Sequence, residues 1–312
     1  MRLKEKRILV TGGAGFIGRN LTEKLVSVNA SLVVFDNFSF GKRSNLPKNT
    51  LEIVHGNVNN RNDFKKIRDI DFVIHLASPS SSVSFQKNPE SCLNTTINGF
   101  ANVLEWSSQS GVEKIIYPSS GKVYDIPFFE KSKGNNFQQA DLYGISKLIS
   151  ENLAKKYSDR IPSVGLRIFT GYGPGEDHKG NIASVITQFA NEILADRSPI
   201  IYGNGNQKRD FVYVETIVEA MKRSMERKTE NVVIDVGSGR SHSYNETVKL
   251  MNDFLDKKIE PRYLRSSNQE KNLIEITANT KRMKKLLNLE PIGLQEGLRK
   301  YLNLLNREIK NS

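Results

Sequence analysis

The chain has 312 residues, 38% of them hydrophobic and 26% charged, enough for one large or two modest globular domains with a proper core. One cysteine, Cys92, and four scattered histidines without ligand spacing exclude a disulfide framework and a cysteine-rich metal centre, so no metal is expected. No apolar run approaches the ~20 residues of a bilayer span. The net charge of +12 is spread along the chain rather than gathered into one aromatic-laced tract, so the expected partner is an anionic small molecule, not a nucleic acid or a membrane. The basic start runs straight into a strand rather than a signal-peptide core, and a cytoplasmic location is expected.

Arg7-Ile8-Leu9-Val10 is a short apolar run suited to a buried parallel strand. It leads into Gly12-Gly13-Ala14-Gly15-Phe16-Ile17-Gly18 and then into Leu21, Leu25 and Val28 at helical spacing. Gly12, Gly15 and Gly18 recur every third residue. In a dinucleotide-binding turn the first allows the tight turn, the second lets a pyrophosphate approach the backbone, and the third lets helix and strand pack closely. The helix start then offers free N–H groups to the phosphates. A second strand, Leu32 to Phe35, ends at Asp36, 18 residues past Gly18, where a carboxylate accepts from both ribose hydroxyls and repels a 2′-phosphate. That selects NAD over NADP. A third strand, Leu51 to Val54, runs into Asn57 and Val58, the former placed to meet adenine.

Asp71 to His75 forms another strand, with Leu76, Ala77 and Ser78 at its carboxyl end, the edge where open α/β sheets bind ligands. His75 inside that apolar run reads as a satisfied core residue rather than a catalyst. Leu93, Ile97, Phe100, Ala101 and Leu104 share helical spacing and predict a packing helix. Lys114 to Tyr117 is a further strand that places Ser120 at its end, 23 residues before Tyr143. Between them, Asp125 to Asp141 reads as a polar loop able to fold over a substrate.

Tyr143 and Lys147 are four residues apart, so on a helix both fall on one face. Tyrosine titrates near 10 and lysine near 10.4, and neither is a useful base alone at neutral pH. An ammonium beside the phenol favours the phenolate, and bringing it to about 7 requires about 4 kcal/mol. A bare Tyr-x-x-x-Lys also suits an ordinary amphipathic helix; the upstream glycine turn and Ser120 are what point to chemistry.

Taken together, the Gly-x-x-Gly-x-x-Gly turn, Asp36-Asn37, the Ser120 strand and Tyr143-x-x-x-Lys147 resemble the extended short-chain dehydrogenase/reductases, and within them the NAD-dependent nucleotide-sugar epimerase/dehydratase family. The likeness runs from Arg7 to about Gly239. It implies a Rossmann-type doubly wound parallel sheet with a smaller C-terminal α/β substrate region. Residues 1–170, with 209–240 returning to them, would bind NAD; 171–208 and 241–312 would bind a nucleotide-diphospho-sugar. The resemblance assigns catalysis to Ser120, Tyr143 and Lys147. It assigns the cofactor to Gly12, Gly15, Phe16, Ile17, Asp36, Asn37, Ser39, Gly41, Lys42, Asn57, Val58, Leu76, Ala77, Ser78 and Thr96, besides Tyr143 and Lys147. Substrate contacts fall on Ser82, Ser120, Thr170, Ser184, Val185, Tyr202, Arg209 and Arg265. A homodimer is expected.

Several positions depart from the family pattern. Thr170 stands where asparagine is usual, Asn57 where aspartate is usual, Arg265-x-x-Asn268 replaces an Arg-x-x-Asp pair, and Thr277 to Lys281 only partly matches a later signature. Arg209 would grip a diphosphate through its planar fork; the alternative is a surface arginine paired with Asp210. By resemblance, dehydratases carry Asp-Glu after the catalytic hydroxyl and decarboxylases a glutamate in the second place. Gly121 and Lys122 stand there and cannot act as carboxylate acid or base. The expected activity is therefore 4-epimerisation of the UDP-glucose/UDP-galactose type through a 4-keto sugar. A dehydratase, a decarboxylase, a 4-keto-sugar reductase and a non-enzymatic NAD-binding regulatory or RNA-associated module are the alternatives.

Overall fold

A computed structural model of the chain describes residues 3–49, 52–126, 141–265 and 275–311. The first apolar run forms β1 (Arg7–Thr11), and the helical spacing beyond the glycines forms α1 (Phe16–Ser27), which buries Phe16, Leu21 and Leu25. β2 (Ser31–Asp36) and β3 (Glu52–His55) extend the sheet on one side of β1, and β4 (Phe72–His75) pairs on its other side. Next come α2 (Ser82–Lys87), α3 (Pro89–Leu93) and α4 (Phe100–Gln109). The packing helix expected over Leu93 to Leu104 is interrupted by a π-helical turn, Asn94–Gly99, which buries Thr96. Wide turns of this kind inside helices recur at functional sites.

β5 (Lys114–Ser120), α5 (Leu142–Lys156) and β6 (Ser163–Ile168) continue the βαβ pattern. The chain then leaves the sheet through β7 (Thr170–Tyr172), α6 (Val185–Leu194), β8 (Ile200–Tyr202) and β9 (Lys208–Tyr213). α7 (Val214–Glu226) packs against α1, and β10 (Val232–Val236) rejoins the sheet beside β6. β11 (Ser241–Ser243), α8 (Tyr244–Leu255), β12 (Arg262–Leu264), α9 (Lys281–Leu287) and α10 (Leu294–Asn311) complete the chain.

The main sheet has seven strands in the order β10-β6-β5-β4-β1-β2-β3, every pairing parallel. Chain direction across the sheet reverses between β1 and β4, which opens a crevice at their carboxyl ends. Apolar side chains cover both faces. Leu9, Val33, Val73 and Ile115 pack under α4, while Ile8, Val10, Val34 and Ile116 share a cluster with α1, α7 and α10. β11-β9-β7 and β12-β8 form two small sheets beyond the edge. Among the described residues no helix is long and apolar enough to cross a membrane. Rossmann topology is thus the architecture, with a smaller α/β portion beside it.

Ser243 caps α8 by accepting from Glu246 N at 3.0 Å, half of the capping box its spacing predicts. Glu246 turns its carboxylate to His242 Nδ1 instead, at 2.8 Å. His75 is buried, lies 2.8 Å from Thr11 Oγ1 and stacks on Phe100. Burial, followed by the charge of Lys147, pushes it down to about 3, so it is held neutral.

Candidate active site

The glycine turn fits the role its spacing predicts. Gly12 has φ 69°, and a Cβ there would lie 2.6 Å from Ala77 N, so β1 and the end of β4 touch through bare backbone. A Cβ on Gly18 would lie 2.3 Å from Gly12 O, so α1 closes on the turn only through glycine. At Gly15 the nearest atom is Gly12 O at 3.4 Å, which leaves room above the helix start. Phe16 and Ile17 begin α1, whose first N–H groups have no helical acceptor. Asp36 accepts from Ala14 N at 2.9 Å and Phe38 N at 2.7 Å, which ties the carboxylate to the turn and leaves lone pairs for further donors.

Asn37 Oδ1 takes the N–H and hydroxyl of Ser39, a local turn that presents both residues beyond β2. Gly41 packs on Ala14, and Lys42 is exposed beside it. Asn57 Oδ1 accepts from Asn59 N at 3.0 Å, and Val58 is buried under the same loop. Leu76, Ala77 and Ser78 line the crevice edge; Ser78 Oγ meets Thr96 Oγ1 at 2.9 Å and receives Lys147 Nζ at 3.0 Å. The predicted cofactor residues therefore share one crevice at the carboxyl ends of β1, β2 and β4. They fit a dinucleotide: a room-making glycine at a helix start, and an anchored carboxylate one strand away.

Asp141 opens α5 by accepting from Tyr143 N at 3.1 Å. Tyr143 and Lys147 then fall on the face turned to β5, with the ammonium 5.7 Å from the phenol ring centroid. Ser120 ends β5, 5% exposed, and its Oγ accepts from Lys122 N at 3.2 Å. α5 approaches this turn closely because residue 144 is glycine; a Cβ there would sit 2.9 Å from Lys122 O. Burial lowers Lys147 to about 8. Burial raises the Tyr143 phenol, the hydrogen bond with Ser120 pulls it back, and the Asp141 carboxylate raises it again. In the protein without NAD, whose oxidised ring would add a positive charge of its own, burial keeps the phenol up, and Lys147 is turned to Ser78.

Further residues that spacing did not single out surround this arrangement. Glu151 lies one turn past Lys147 on the same face, buried, and receives Ser119 Oγ at 2.5 Å. Arg167 on β6 forks onto it, Nε at 2.8 Å and Nη2 at 2.7 Å. The guanidinium also stacks 4.8 Å over the ring of Tyr124, whose hydroxyl reaches Asp235. The signal available was a glutamate eight residues past Tyr143, again on the buried helix face.

The predicted substrate residues are less closely gathered. Thr170 starts β7, two residues past the end of β6. Ser82 donates to Asp141 Oδ2 at 2.5 Å, so its hydroxyl is committed to the start of α5. Ser184 caps α6, which begins at Val185, and gives its hydroxyl to buried Glu176 at 2.6 Å. Tyr202 is exposed at the end of β8; Arg265 follows β12, and Leu264 and Tyr202 are partners in that pair. Arg209 donates to Lys208 O. It is not paired with Asp210, which is buried and accepts from Ser238, Gly239 and Ala278. The polar loop before Asp141 and Asn268 lie outside the described residues, whereas Ala278 N and Asn279 N are fastened by Asp210 and Asp235.

Fold and site together define a nucleotide-binding α/β enzyme scaffold, and comparison with known proteins gives the class. The chain belongs to the NAD dependent epimerase/dehydratase family, whose model matches residues 8–237. It is 32% identical over 303 residues to a Methanocaldococcus jannaschii protein named "Putative UDP-glucose 4-epimerase", covering 95% of this chain and 97% of that one. A Bacillus cytotoxicus UDP-N-acetyl-alpha-D-glucosaminuronate decarboxylase is 31% identical over 255 residues, with 78% and 79% covered. The crystal structure of the Thermotoga maritima UDP-glucose 4-epimerase with UDP-glucose superposes with a TM-score of 0.86 at 29% identity, covering 97% and 99% of the two chains. Relatives thus include both epimerases and decarboxylases.

Proposed function

We propose that the chain is an NAD-dependent nucleotide-sugar 4-epimerase acting on a UDP-hexose of the glucose/galactose type. The observation that carries this reading is the meeting of Ser120, Tyr143 and Lys147 at the crevice edge beside Gly121 and Lys122, two positions without a carboxylate, with the Asp125 carboxylate of the same turn engaged by Lys122. Lys122 donates its backbone N–H to Ser120 and its ammonium to Asp125 at 2.6 Å. Dehydration and decarboxylation need an acid or base at that turn. In this reading residues 1–170 and 209–240 hold NAD, and 171–208 with 241–312 hold the sugar nucleotide. NAD bound over the glycine turn supplies a hydride acceptor at the sugar C4 that is also the donor of the return step.

Tyr143 takes the proton of the sugar 4-hydroxyl, and Ser120 hydrogen-bonds the same oxygen. Lys147, through Ser78 and Thr96, holds the wall of the crevice beside Tyr143. Arg209 pairs with the diphosphate, and the strand ends at Tyr202 and Arg265 face the base and ribose. We further propose a homodimer in the cytoplasm. Leu142 and Ile149, exposed two turns apart on α5, support a self-association face. The test is nuclear magnetic resonance of UDP-glucose, UDP-galactose and their N-acetyl forms incubated with the protein and NAD. Interconversion at C4 is expected; formation of a dehydrated sugar without inversion, or decarboxylation of UDP-glucuronic acid added as a fifth substrate, would refute the assignment.

A further inference from the structure

The acid that caps the catalytic helix has both oxygens anchored. Asp141 Oδ1 accepts from Tyr143 N at 3.1 Å, and Oδ2 accepts the Ser82 hydroxyl at 2.5 Å from 59 residues away. Phe85, one turn further along α2, meets the Tyr143 ring edge-on with centroids 5.5 Å apart. The phenol is thus enclosed between α2 and the end of β5, with a carboxylate fixed two residues before it. Capping by itself does not call for a charge, since serine, threonine and asparagine serve as well as aspartate.

Among the described residues the other charges around Tyr143 are already engaged or distant. Lys147 on α5 donates to Ser78. Lys122 and Asp125, on the turn after β5, pair with each other at 2.6 Å. Glu151 is held by Arg167, and Glu105 on α4 is held by Arg160 at the far end of α5. Lys87 closes α2 at the surface, the π-helical turn carries no ionisable side chain, and His75 on β4 is neutral. Among the described residues Asp141 is the carboxylate that acts against ionisation of this phenol.

We propose that Asp141 is a positioning residue that sets the pH at which Tyr143 works: it fixes the start of α5, clamps α2 through Ser82, and holds a negative charge against the phenol. A phenol kept protonated in this way yields a stronger base once ionised, at the cost of a smaller ionised fraction. The proposal rests on Tyr143 being the reacting phenol, and its test reads the phenol directly so that the two ideas fail separately.

Asp141→Asn keeps an oxygen for Tyr143 N and a polar group for Ser82, and removes only the charge. In the NAD-loaded protein, tyrosinate difference absorbance with Tyr143→Phe as the blank gives the titration midpoint of Tyr143. The expected midpoint is roughly half a unit to one unit lower in Asp141→Asn, for one charge removed from beside the Tyr143 backbone N–H. The acidic limb of the C4-inversion rate should move with it, so that turnover below the parental limb rises about three- to tenfold. Asp141→Ser, also neutral and able to cap, should give the same shift. An unchanged midpoint in both variants, or turnover lost at every pH with the midpoint unmoved, would overturn the role. If the parent inverts no sugar, the epimerase reading falls while the midpoint still decides what Asp141 does.

Discussion

The proposed cofactor crevice and the proposed substrate side of this molecule are built differently. Around the crevice, backbone meets backbone: side chains at Gly12 or Gly18 would collide with main-chain atoms, Asp36 is tied to the glycine turn, and Ser78, Thr96 and Lys147 are bonded into one wall. On the proposed substrate side the predicted contacts lie at the ends of short strands, where Tyr202 is 52% exposed and Arg209 donates to a neighbouring carbonyl. Close packing tolerates little change, whereas long side chains on small sheets admit many ligands. That contrast explains why the motifs specify the fold and cofactor class more tightly than the sugar, and why relatives of different activity share the scaffold.

The largest expected effect lies between the two regions. Tyr143→Phe removes one oxygen and should lower turnover ~10² to 10⁴-fold while NAD binding and melting temperature stay as in the parent. Parental turnover in that variant would break the chemistry proposed for the crevice. Next, two glycines divide packing from binding on the cofactor side. Gly15→Ala enters open room on extended backbone, so the protein should fold normally yet bind NAD roughly a hundredfold more weakly by calorimetry. Gly18→Ala should instead lower the melting temperature, and equal effects of the two would deny the distinction.

On the substrate side, Arg209→Ala should weaken UDP-sugar binding by about tenfold, the low end for a charge-assisted hydrogen bond at an exposed site, and leave NAD affinity unchanged. Equal weakening of both ligands would show that the two regions are not separable. The smallest effect concerns pH. Lys147 is buried with its ammonium lowered to about 8, while an unfolded lysine keeps its proton to about 10.5. Between these values the unfolded chain binds more protons, so stability should rise as pH increases from 8 toward 10. Lys147→Met should flatten that rise, by on the order of 1–2 kcal/mol in urea unfolding. A parent without the rise would mean the ammonium is better solvated than its burial indicates.

What the sequence by itself determined is what lies within a few residues of chain. The glycine period, the aspartate ending β2, a hydroxyl ending β5 and a Tyr-Lys pair one turn apart are local, and strand and helix periodicity carries them directly into place. The alternation of strands and helices likewise implied a parallel sheet and its ligand-bearing edge. Contacts across long separations were decided only by the fold: Ser82 on Asp141, Ser119 and Arg167 on Glu151, and β12 beside β8, which brings Arg265 to the end of Tyr202's strand. The π-helical turn that buries Thr96 was hidden because its apolar spacing is also that of a regular helix. Ionisation was the least legible. A pair of residues suggested a lowered phenol, but the phenol answers to every neighbour and to its own loss of water, and in the folded chain burial and Asp141 act against the ionised form.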